Sequence, residues 1–589
     1  MASELPFEIT RRIADFIQRR DRAQSCLVCK AWLPVFQESL FEEIVINDYI
    51  RFAESVDISC SRNKLLQRYG KKTRTLHISE NTLINGQQIL ALQQYLPHLH
   101  RFKWDSTCID ENSFVTDPGW NLWSSITYLE VNVENYDSST LPHVYYSIIS
   151  NLGQLKRLEF KSIFNAKMFK QTVEDIEFLN DKLPKLTYLS LGVQLESISD
   201  SELLEIKDVK PMPDLKTLEI DIDITTYKWI YYLAIKYPNL STLKSVIFPQ
   251  NMTSENNITT AKMLSFLPHL LHTLEEIDVR VEKGTEQLYL DFWKQLCISN
   301  TPIKKIYLLL YPGVESSVLF EDVLESTKFF SKSLEKIQLV SYVDLRIYWS
   351  FTARLEYCPY LVDIFISVNH TRIPVDILLD KCPSLKTFNI VNGLLNLSLD
   401  SSKISPRHGL TDILLNISSL SAKTLNYISL RCKNLNNLKL ECVNIAVDAS
   451  EDTGENCVDM TATHFTELNI SSVRFIDTSR QTTVNIFTLS PLLIQNPADH
   501  TWAYSIYHLK SYRPWISRTW KLNEEESKYA EDYFLNTPEN LDPENDHQWF
   551  SKGIYKMTKA NWKSTLSNGY VMFKYGSVKK LIFEVKPEY

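Results

Sequence analysis

A six-residue pattern of apolar residues recurs along most of this chain and limits its fold more than any other feature. An apolar residue is followed by two others, a second apolar residue, one other and a third apolar residue. The clearest copies are Leu155–Phe160, Leu186–Leu191, Leu215–Ile220, Leu274–Val279, Ile303–Leu308, Leu334–Leu339, Leu361–Ile366 and Leu435–Leu440, and looser copies begin at Leu99, Ile126, Leu240, Leu385, Leu410 and Phe465. Their starts from Leu99 to Leu435 are about 28 residues apart on average, a period that indicates a stacked repeat.

Prolines add a second regular feature to this pattern. A proline stands two positions before the first apolar residue at Pro97, Pro184, Pro213, Pro238, Pro359 and Pro383. Proline cannot continue a helix, and it biases the residue before it to extended geometry. Segments upstream, such as Trp229–Tyr237, have apolar residues at helical spacing. Each copy therefore predicts a helix, a stop and a strand, and we expect Cys358 and Cys382, which precede two of the prolines, to be buried fillers.

The pattern resembles the leucine-rich repeat, whose period is roughly 20–29 residues. One such unit cannot bury its strand face and its helix stripe alone, so neighbouring units must stack. For residues 47–475 we predict an α/β fold, a leucine-rich-repeat solenoid with a concave parallel β-sheet and convex helices. Residues 476–589 lose the repeat spacing but contain five of the twelve tryptophans. We predict an aromatic-rich C-terminal cap or tail region there, and the alternative is a segment that folds back into the concave surface.

Residues 1–46 carry a different motif. The segment opens with Leu5-Pro6-Phe7-Glu8-Ile9 and later contains Val28-Cys29-Lys30-Ala31-Trp32. Pro6 suits the start of a helix, and Ile9, Ile13, Phe16 and Ile17 recur at the spacing of one helical stripe. A unit this short buries too little surface to be robust alone, so its exposed apolar edges should lean on the repeat array or on a partner.

Together the two blocks resemble an F-box, a three-helix motif, with Arg22 standing where that family usually has a leucine. The resemblance implies docking onto the small Skp-family adaptor of Skp–cullin–F-box ubiquitin ligases, while the repeats capture a protein substrate. The residues that it implies for adaptor binding are Leu5, Pro6, Ile9, Val28, Lys30 and Trp32. For Val28 and Trp32 the alternative is packing inside the F-box itself.

Composition argues against several other classes of function. The 63 Lys and Arg residues are outnumbered by 71 Asp and Glu residues, so we expect no nucleic-acid partner. The chain has neither a phosphate-binding glycine motif nor a nucleophile signature, and Cys26-x-x-Cys29 lacks a second pair of ligands. We therefore expect no enzyme activity, no cofactor and no metal. Scattered cysteines and short apolar runs predict a cytoplasmic and/or nuclear protein without membrane contact.

The strand positions between the repeated apolar residues should face away from the core and line the concave surface. Candidate substrate-binding residues there are Glu219, Asp221, Asp223, Asp278, Tyr307, Leu309 and Phe365. With Glu130 and Glu159, the carboxylates predict an acidic first half, whereas the later strands are apolar. A basic segment with an aromatic or aliphatic anchor would suit such a surface. The alternative is a solvated charged face, with the apolar residues packed under a loop.

These features predict the substrate-recognition subunit of a Skp–cullin–F-box ligase. Three alternatives stay open. The first is an F-box scaffold without ubiquitination, and the second is a non-ligase leucine-rich-repeat interaction scaffold whose N-terminal helices cap the solenoid. The third is an enzyme or an enzyme activator, such as a leucine-rich GTPase activator using a loop arginine, for example Arg280 or Arg346.

Overall fold

The fold is seen in a computed structural model of the chain. It describes residues 5–56, 60–79, 85–105, 119–133, 141–162, 170–192, 194–223, 227–248, 271–281, 286–311, 316–342, 349–398, 407–448, 456–492, 500–506, 518–536 and 559–583. The chain divides into two compact units, Met1–Arg280 and Val281–Tyr589, which we call the N-terminal unit and the C-terminal unit.

Three short helices open the N-terminal unit: α1 (Phe7–Phe16), α2 (Arg19–Ser25) and α3 (Leu33–Phe41). Both α1 and α2 pack against α3. Arg22 joins them, because its Nε donates a hydrogen bond to the Ile17 carbonyl at 3.0 Å and its Nη1 donates to the Ser39 carbonyl at 3.3 Å. Hydrogen bonds thus replace the apolar contact that a leucine would make at this position.

Strands and helices alternate after α3. The strands are β1 (Glu43–Ile46), β2 (Thr75–Ile78), β3 (Arg101–Asp105), β4 (Tyr128–Val133), β5 (Arg157–Ser162), β6 (Lys170–Gln171), β7 (Tyr188–Leu191), β8 (Gln194–Leu195), β9 (Thr217–Asp223), β10 (Thr242–Phe248) and β11 (Glu276–Val281). The α-helices are Tyr49–Val56, Ser61–Tyr69, Gly86–Tyr95, Leu141–Ser150, Val173–Lys182, Asp200–Glu205 and Tyr227–Lys236, and 3-10 turns cover Gly70–Lys72, Trp120–Trp123 and Ile206–Asp208. Strands β1, β2, β3, β4, β5, β7, β9 and β10 form a parallel ladder in this order.

The repeated apolar residues explain this stacking. Leu155, Leu158 and Phe160 of one copy are buried, and Leu158 lies opposite Leu189 of the next strand. At the start of a strand, two successive backbone N–H groups donate to one carbonyl of the preceding repeat, as Lys156 and Arg157 donate to Thr127. The same connection recurs down the ladder and fixes the register of each new strand.

The repeat begins earlier than the sequence pattern predicts. Strand β1 lies inside residues 1–46 and belongs to a copy of the pattern, Phe41-x-x-Ile44-x-Ile46. Strand β2 belongs to the next copy, Thr73-x-x-Leu76-x-Ile78. Thr73 occupies the first apolar position, is fully buried and donates a hydrogen bond from Oγ1 to the Phe41 carbonyl at 2.8 Å. A hydrogen-bonded threonine therefore takes the place of the leucine, and the apolar pattern alone does not identify this copy.

The C-terminal unit continues the same pattern. Its strands are β12 (Lys305–Leu310), β13 (Lys336–Ser341), β14 (Trp349–Ser350), β15 (Asp363–Pro374), β16 (Thr387–Asn396), β17 (Asp412–Asn416), β18 (Ser419–Ser421), β19 (Asn437–Glu441), β20 (Val443–Val447), β21 (Cys457–Ile470), β22 (Val473–Asp477), β23 (Thr482–Val484), β24 (Ile486–Pro491), β25 (Thr501–Ile506), β26 (Arg518–Lys521) and β27 (Tyr570–Ile582). Its α-helices are Glu286–Ile298, Ser316–Phe330, Phe351–Arg354, Val375–Lys381, Ala422–Arg431 and Glu524–Asn536, and Lys559–Asn568 is a 3-10 helix.

Two parallel ladders run through the repeats of this unit. The first joins β12, β13, β15, β16, β17, β19 and β21, and the second joins β14, β15, β16, β18, β20 and β22. The chain passes from the first ladder to the second at residues with left-handed backbone, His370, Asn392, Ile417 and Cys442. Each repeat therefore has a corner where one residue adopts a conformation that L-residues rarely favour.

The C-terminal segment adds to the first ladder and has a core of its own. Strand β27 pairs in parallel with β21, so that Leu581 lies opposite Leu468. Strand β25 pairs antiparallel with β24 on one side and with β26 on the other. A cluster of Trp502, Tyr504, Trp562 and neighbouring side chains packs against Trp520 and Phe534. Trp515 and Trp549 lie outside the described residues.

The predicted α/β class, a mostly parallel sheet joined to helices, is confirmed. Cys358 and Cys382 are fully buried, as predicted, and burial raises the pKa of the Cys358 thiol to about 11. The F-box identity of the first three helices stays a prediction.

Candidate functional site

The N-terminal helices expose an unusual number of apolar side chains. Phe16 and Leu27 are 89% and 86% exposed, and Val28 is 59% exposed. The complete set, which we call the N-terminal apolar surface, is Leu5, Phe7, Ile9, Phe16, Leu27, Val28 and Leu33. These residues lie within a single segment of fewer than thirty positions, where solvated side chains would ordinarily be polar.

The local sequence explains why these side chains point outward. In α1 the buried side chains are those of Thr10 and Ala14, which are small and let the helix pack closely on α3. Of the predicted stripe, Ile13 and Ile17 are half-buried, whereas Ile9 and Phe16 are exposed. Only part of the stripe therefore packs inside the unit.

The residues predicted to bind an adaptor all lie on or beside these helices. Leu5, Pro6, Ile9, Val28 and Lys30 are exposed. Trp32 is half-buried, and its ring packs on Phe36 with 5.1 Å between the ring centroids. Val28 is therefore available for contact, whereas Trp32 also supports α3. The sequence pattern missed Phe7, Phe16, Leu27 and Leu33, because their exposure depends on how the three helices pack.

Charged side chains on the sheet of the N-terminal unit neutralise one another. Lys103, Glu130 and Glu159 lie opposite one another on β3, β4 and β5. Lys161 Nζ lies 2.9 Å from a carboxylate oxygen of Glu130 and of Glu159, and Lys103 Nζ lies 2.9 Å from Glu130. Arg157 also pairs with Glu159. Both glutamates are buried in this network.

The prediction of an acidic surface is therefore wrong for strands β3 to β5. Sequence position alone suggested unpaired carboxylates, but lysines on adjacent strands, one strand spacing away, form ion pairs with these carboxylates. Burial opposes ionisation of Glu130, yet hydrogen bonds from Tyr128, Lys161 and Lys103 outweigh it and lower its pKa to about 2. The carboxylate is thus charged and already occupied at neutral pH.

The other acidic candidates do not form one site in the described structure. Glu219 on β9 accepts a hydrogen bond from the Tyr188 hydroxyl at 2.5 Å. Asp278 is half-buried on β11. The side chains of Asp221 and Asp223 lie outside what the structure describes.

The apolar candidates do share a face in the C-terminal unit. Following the register, Tyr307 lies opposite Gln338, which lies opposite Phe365, then Asn389, then Leu414. We call these five residues the central row. Each is half-buried, while its neighbours along the strand are buried, so all five side chains lie on the side of the sheet away from the core.

A second row runs beside the central row. Leu309 lies opposite Val340, which lies opposite Ser367, Val391 and Asn416. We call the two rows together the outward face. Apolar side chains thus alternate with amides along the central row and gather beside it. Gln338, Asn389 and Leu414 could have been found from sequence by aligning the fifth position of every copy, once the register of the copies was known.

Charged side chains near this face form ion pairs with one another. Lys336 Nζ lies 2.7 Å from Asp363, Lys439 Nζ lies 2.7 Å from Glu441, and Lys580 Nζ lies 2.7 Å from Glu467. By contrast, within the described part of the chain the side-chain amides of Gln338, Asn389 and Asn416 have no hydrogen-bond partner. The face therefore offers apolar contact and amide donors, and these neighbouring charges are paired with one another.

Neither a metal-binding cluster nor a membrane-spanning helix is present among the described residues. No three His, Cys, Asp or Glu side chains among them are grouped so that they could hold a metal ion. No helix in these ranges has the length and apolar character to cross a membrane.

Comparisons with known proteins give a limited result. No protein-family model matches the chain, and no curated protein matches it. A crystal structure of PEPR1–AtPEP1 is 13% identical over 70% of this chain and 57% of that chain, with a TM-score of 0.25. The leucine-rich-repeat ectodomain of the Arabidopsis receptor kinase HAESA, in complex with an N-terminally extended IDA peptide hormone ligand, is 10% identical over 73% and 77%, with a TM-score of 0.22.

This chain therefore spans little more than half of the first of those structures. Both TM-scores are too low to transfer a site or a ligand. The repeat architecture depends instead on the strand pairing and burial within the chain itself.

Proposed function

We propose that the chain is the substrate-recognition subunit of a Skp–cullin–F-box ubiquitin ligase in the cytoplasm or nucleus. In this proposal the N-terminal apolar surface binds a Skp-family adaptor and, through it, a cullin. The outward face then captures a protein substrate. The chain itself catalyses nothing, because ubiquitin transfer belongs to other subunits of such ligases.

The observation that supports this proposal is the exposure of the N-terminal apolar surface. Burying one Leu, Val or Phe side chain fully stabilises a complex by about 1.5–3 kcal/mol. Three side chains as exposed as Phe16, Leu27 and Val28 could thus supply a large part of the affinity of a stable interface. Such residues are costly to leave in water, and a docked adaptor would remove that cost.

A second function has an observation in its favour. The three helices also cover the first strand of the sheet, since the Phe41 carbonyl at the end of α3 accepts the Thr73 hydroxyl and Arg11 of α1 pairs with Glu42. A plain interaction scaffold would need only this capping role. Capping does not account for Leu27 and Val28, however, which contribute little to packing within the unit.

Titration of a purified Skp-family adaptor into the full chain, followed by calorimetry, tests the proposal. The Leu27→Ala/Val28→Ala variant should bind the adaptor at least tenfold more weakly. Trp32 is left unchanged, because its packing on Phe36 would confuse a loss of binding with a loss of folding.

The matched control is Ile298→Ala/Leu430→Ala, which removes two side chains of similar exposure, 69% and 67%, from the C-terminal unit. This variant should bind as the wild type does. A folded wild-type chain that ignores the adaptor would leave only the scaffold function.

A further inference from the structure

The outward face has a spacing and a set of donors that select one kind of ligand. We propose that it binds a segment in the polyproline II conformation, uncharged and with an apolar residue at every third position. This deepens the proposed function, since it names the class of substrate segment, but the binding itself requires no ligase.

The apolar anchors of the central row match the repeat distance of a polyproline II helix. Neighbouring strands lie about 4.8 Å apart, so Tyr307, Phe365 and Leu414, which stand on alternate strands of the ladder, recur at about 9.6 Å. A polyproline II helix advances about 3.1 Å per residue with three residues per turn, so the same side of the segment recurs every 9.3 Å or so. Over two intervals the mismatch is only about 0.6 Å.

Other regular conformations fit these anchors less well. An extended β-strand presents the same side about every 6.7 Å, which matches neither one strand spacing nor two. Two turns of an α-helix advance about 10.8 Å, so a helix would be out of step by about 2.4 Å over two intervals. The anchors of the central row therefore favour polyproline II.

The amides of the outward face can donate hydrogen bonds to a ligand backbone. Gln338 and Asn389 lie between the apolar anchors, and Asn416 lies beside the last anchor. Their NH₂ groups are donors that lack a partner within the described chain. A polyproline II segment makes no internal hydrogen bonds, so its backbone carbonyls are free to accept from such donors. An α-helix has already used its central carbonyls.

Charges beside the outward face are paired with one another. The ion pairs Lys336–Asp363 and Lys439–Glu441 border the face, so these four side chains are already occupied. The acidic strands that would have favoured a basic segment are closed by their own cations in the N-terminal unit. The apolar side chains of Leu309, Val340 and Val391 instead offer a surface for proline rings beside the central row.

Synthetic peptides and the full chain test this proposal by fluorescence anisotropy. The first peptide repeats Leu-Pro-Pro, which places leucine at every third position. The second contains the same residues in an order that breaks the three-residue spacing of the leucines, and the third is a helical peptide with leucines at heptad spacing. We expect the first peptide to bind at least tenfold more tightly than the other two.

Variants identify the face that binds. Phe365→Ala and Leu414→Ala should each weaken binding of the Leu-Pro-Pro peptide about tenfold, while Asn389→Leu should weaken it several-fold despite adding an apolar side chain. Thermal unfolding of each variant separates lost contact from lost folding. The Leu27→Ala/Val28→Ala variant should bind the peptide as the wild type does, which distinguishes this result from failure of the adaptor titration.

Equal binding of all three peptides, preference for the helical peptide, or an Asn389→Leu variant that binds more tightly would overturn the proposal.

Discussion

Ile417 adopts a backbone conformation that isoleucine rarely occupies. Its φ is 48°, at the corner between the two ladders of the C-terminal unit. In this region the Cβ atom lies too close to the following carbonyl, which costs an L-residue about 1–2 kcal/mol. The strain persists because β17 and β18 on either side are fixed by register to β16. The corner is thus held by its neighbours and not by the preference of its own residue.

Glycine should therefore be favoured over alanine at position 417. Glycine has no Cβ, and we expect Ile417→Gly to be more stable than Ile417→Ala by about 1 kcal/mol, the reverse of the usual order. Urea unfolding of both variants measures the difference. An alanine variant that equals or exceeds the glycine variant would show that the corner is not strained.

Glu130 provides a pH test of the ion network. Its pKa is lowered from 4.5 to about 2 by its hydrogen-bonding partners, against the opposing effect of burial. The unfolded chain therefore binds the proton at a higher pH than the folded chain does. The stabilisation is complete above about pH 4.5 and is lost as the pH falls toward 2.

Glu130→Gln should accordingly be less stable than the wild type at pH 7, with a smaller difference at pH 2.5. Urea midpoints followed by circular dichroism across this range would measure it. A difference that stays constant with pH would mean that the carboxylate gains nothing from Lys103 and Lys161.

At the scale of elements, an ion pair between a buried lysine and a half-buried glutamate joins two helices of the N-terminal unit. Lys236, 2% exposed in the helix Tyr227–Lys236, donates from Nζ to Glu177 in the helix Val173–Lys182 at 2.6 Å. The Tyr232 hydroxyl donates to the other oxygen of the same carboxylate at 2.5 Å. Removing the glutamate would leave a buried ammonium without its partner.

Glu177→Ala should lower the free energy of unfolding by about 3 kcal/mol, because an unpaired buried charge is strongly destabilising. Replacing the lysine as well, in Glu177→Ala/Lys236→Met, should recover most of that loss. Denaturant unfolding of the two variants gives the comparison, and a double variant no more stable than the single one would contradict this account.

Elements were more predictable from sequence than the surfaces they carry. Leucines such as Leu158 and Leu189 predicted strands because burial of that face is required in every repeat. Strand β2 was missed since Thr73 satisfies a leucine position by a hydrogen bond. Strand β1 was missed because its copy lies inside residues 1–46, which the sequence assigned to the N-terminal motif. The outward residues were predicted less well, because neutralisation of Glu130 depends on cations from other strands, and those are adjacent only through register.

At the scale of the whole molecule, one surface is proposed to bind the adaptor and another to bind the substrate. The N-terminal apolar surface lies at one end of the chain, and the outward face belongs to the C-terminal unit. The sequence motif predicted the first surface as a docking site but could not show that Phe16 and Leu27 point away from the packed helices. That outcome depends on Thr10 and Ala14, the small residues that α1 buries instead.

Hydrogen exchange of the full chain, with and without a saturating Skp-family adaptor, would show whether the N-terminal apolar surface is the docking site. We expect slower exchange for backbone amides within residues 5–33 when the adaptor is bound, and unchanged exchange along β12 to β17. Binding that leaves residues 5–33 unprotected, or protection confined to the C-terminal unit, would contradict it.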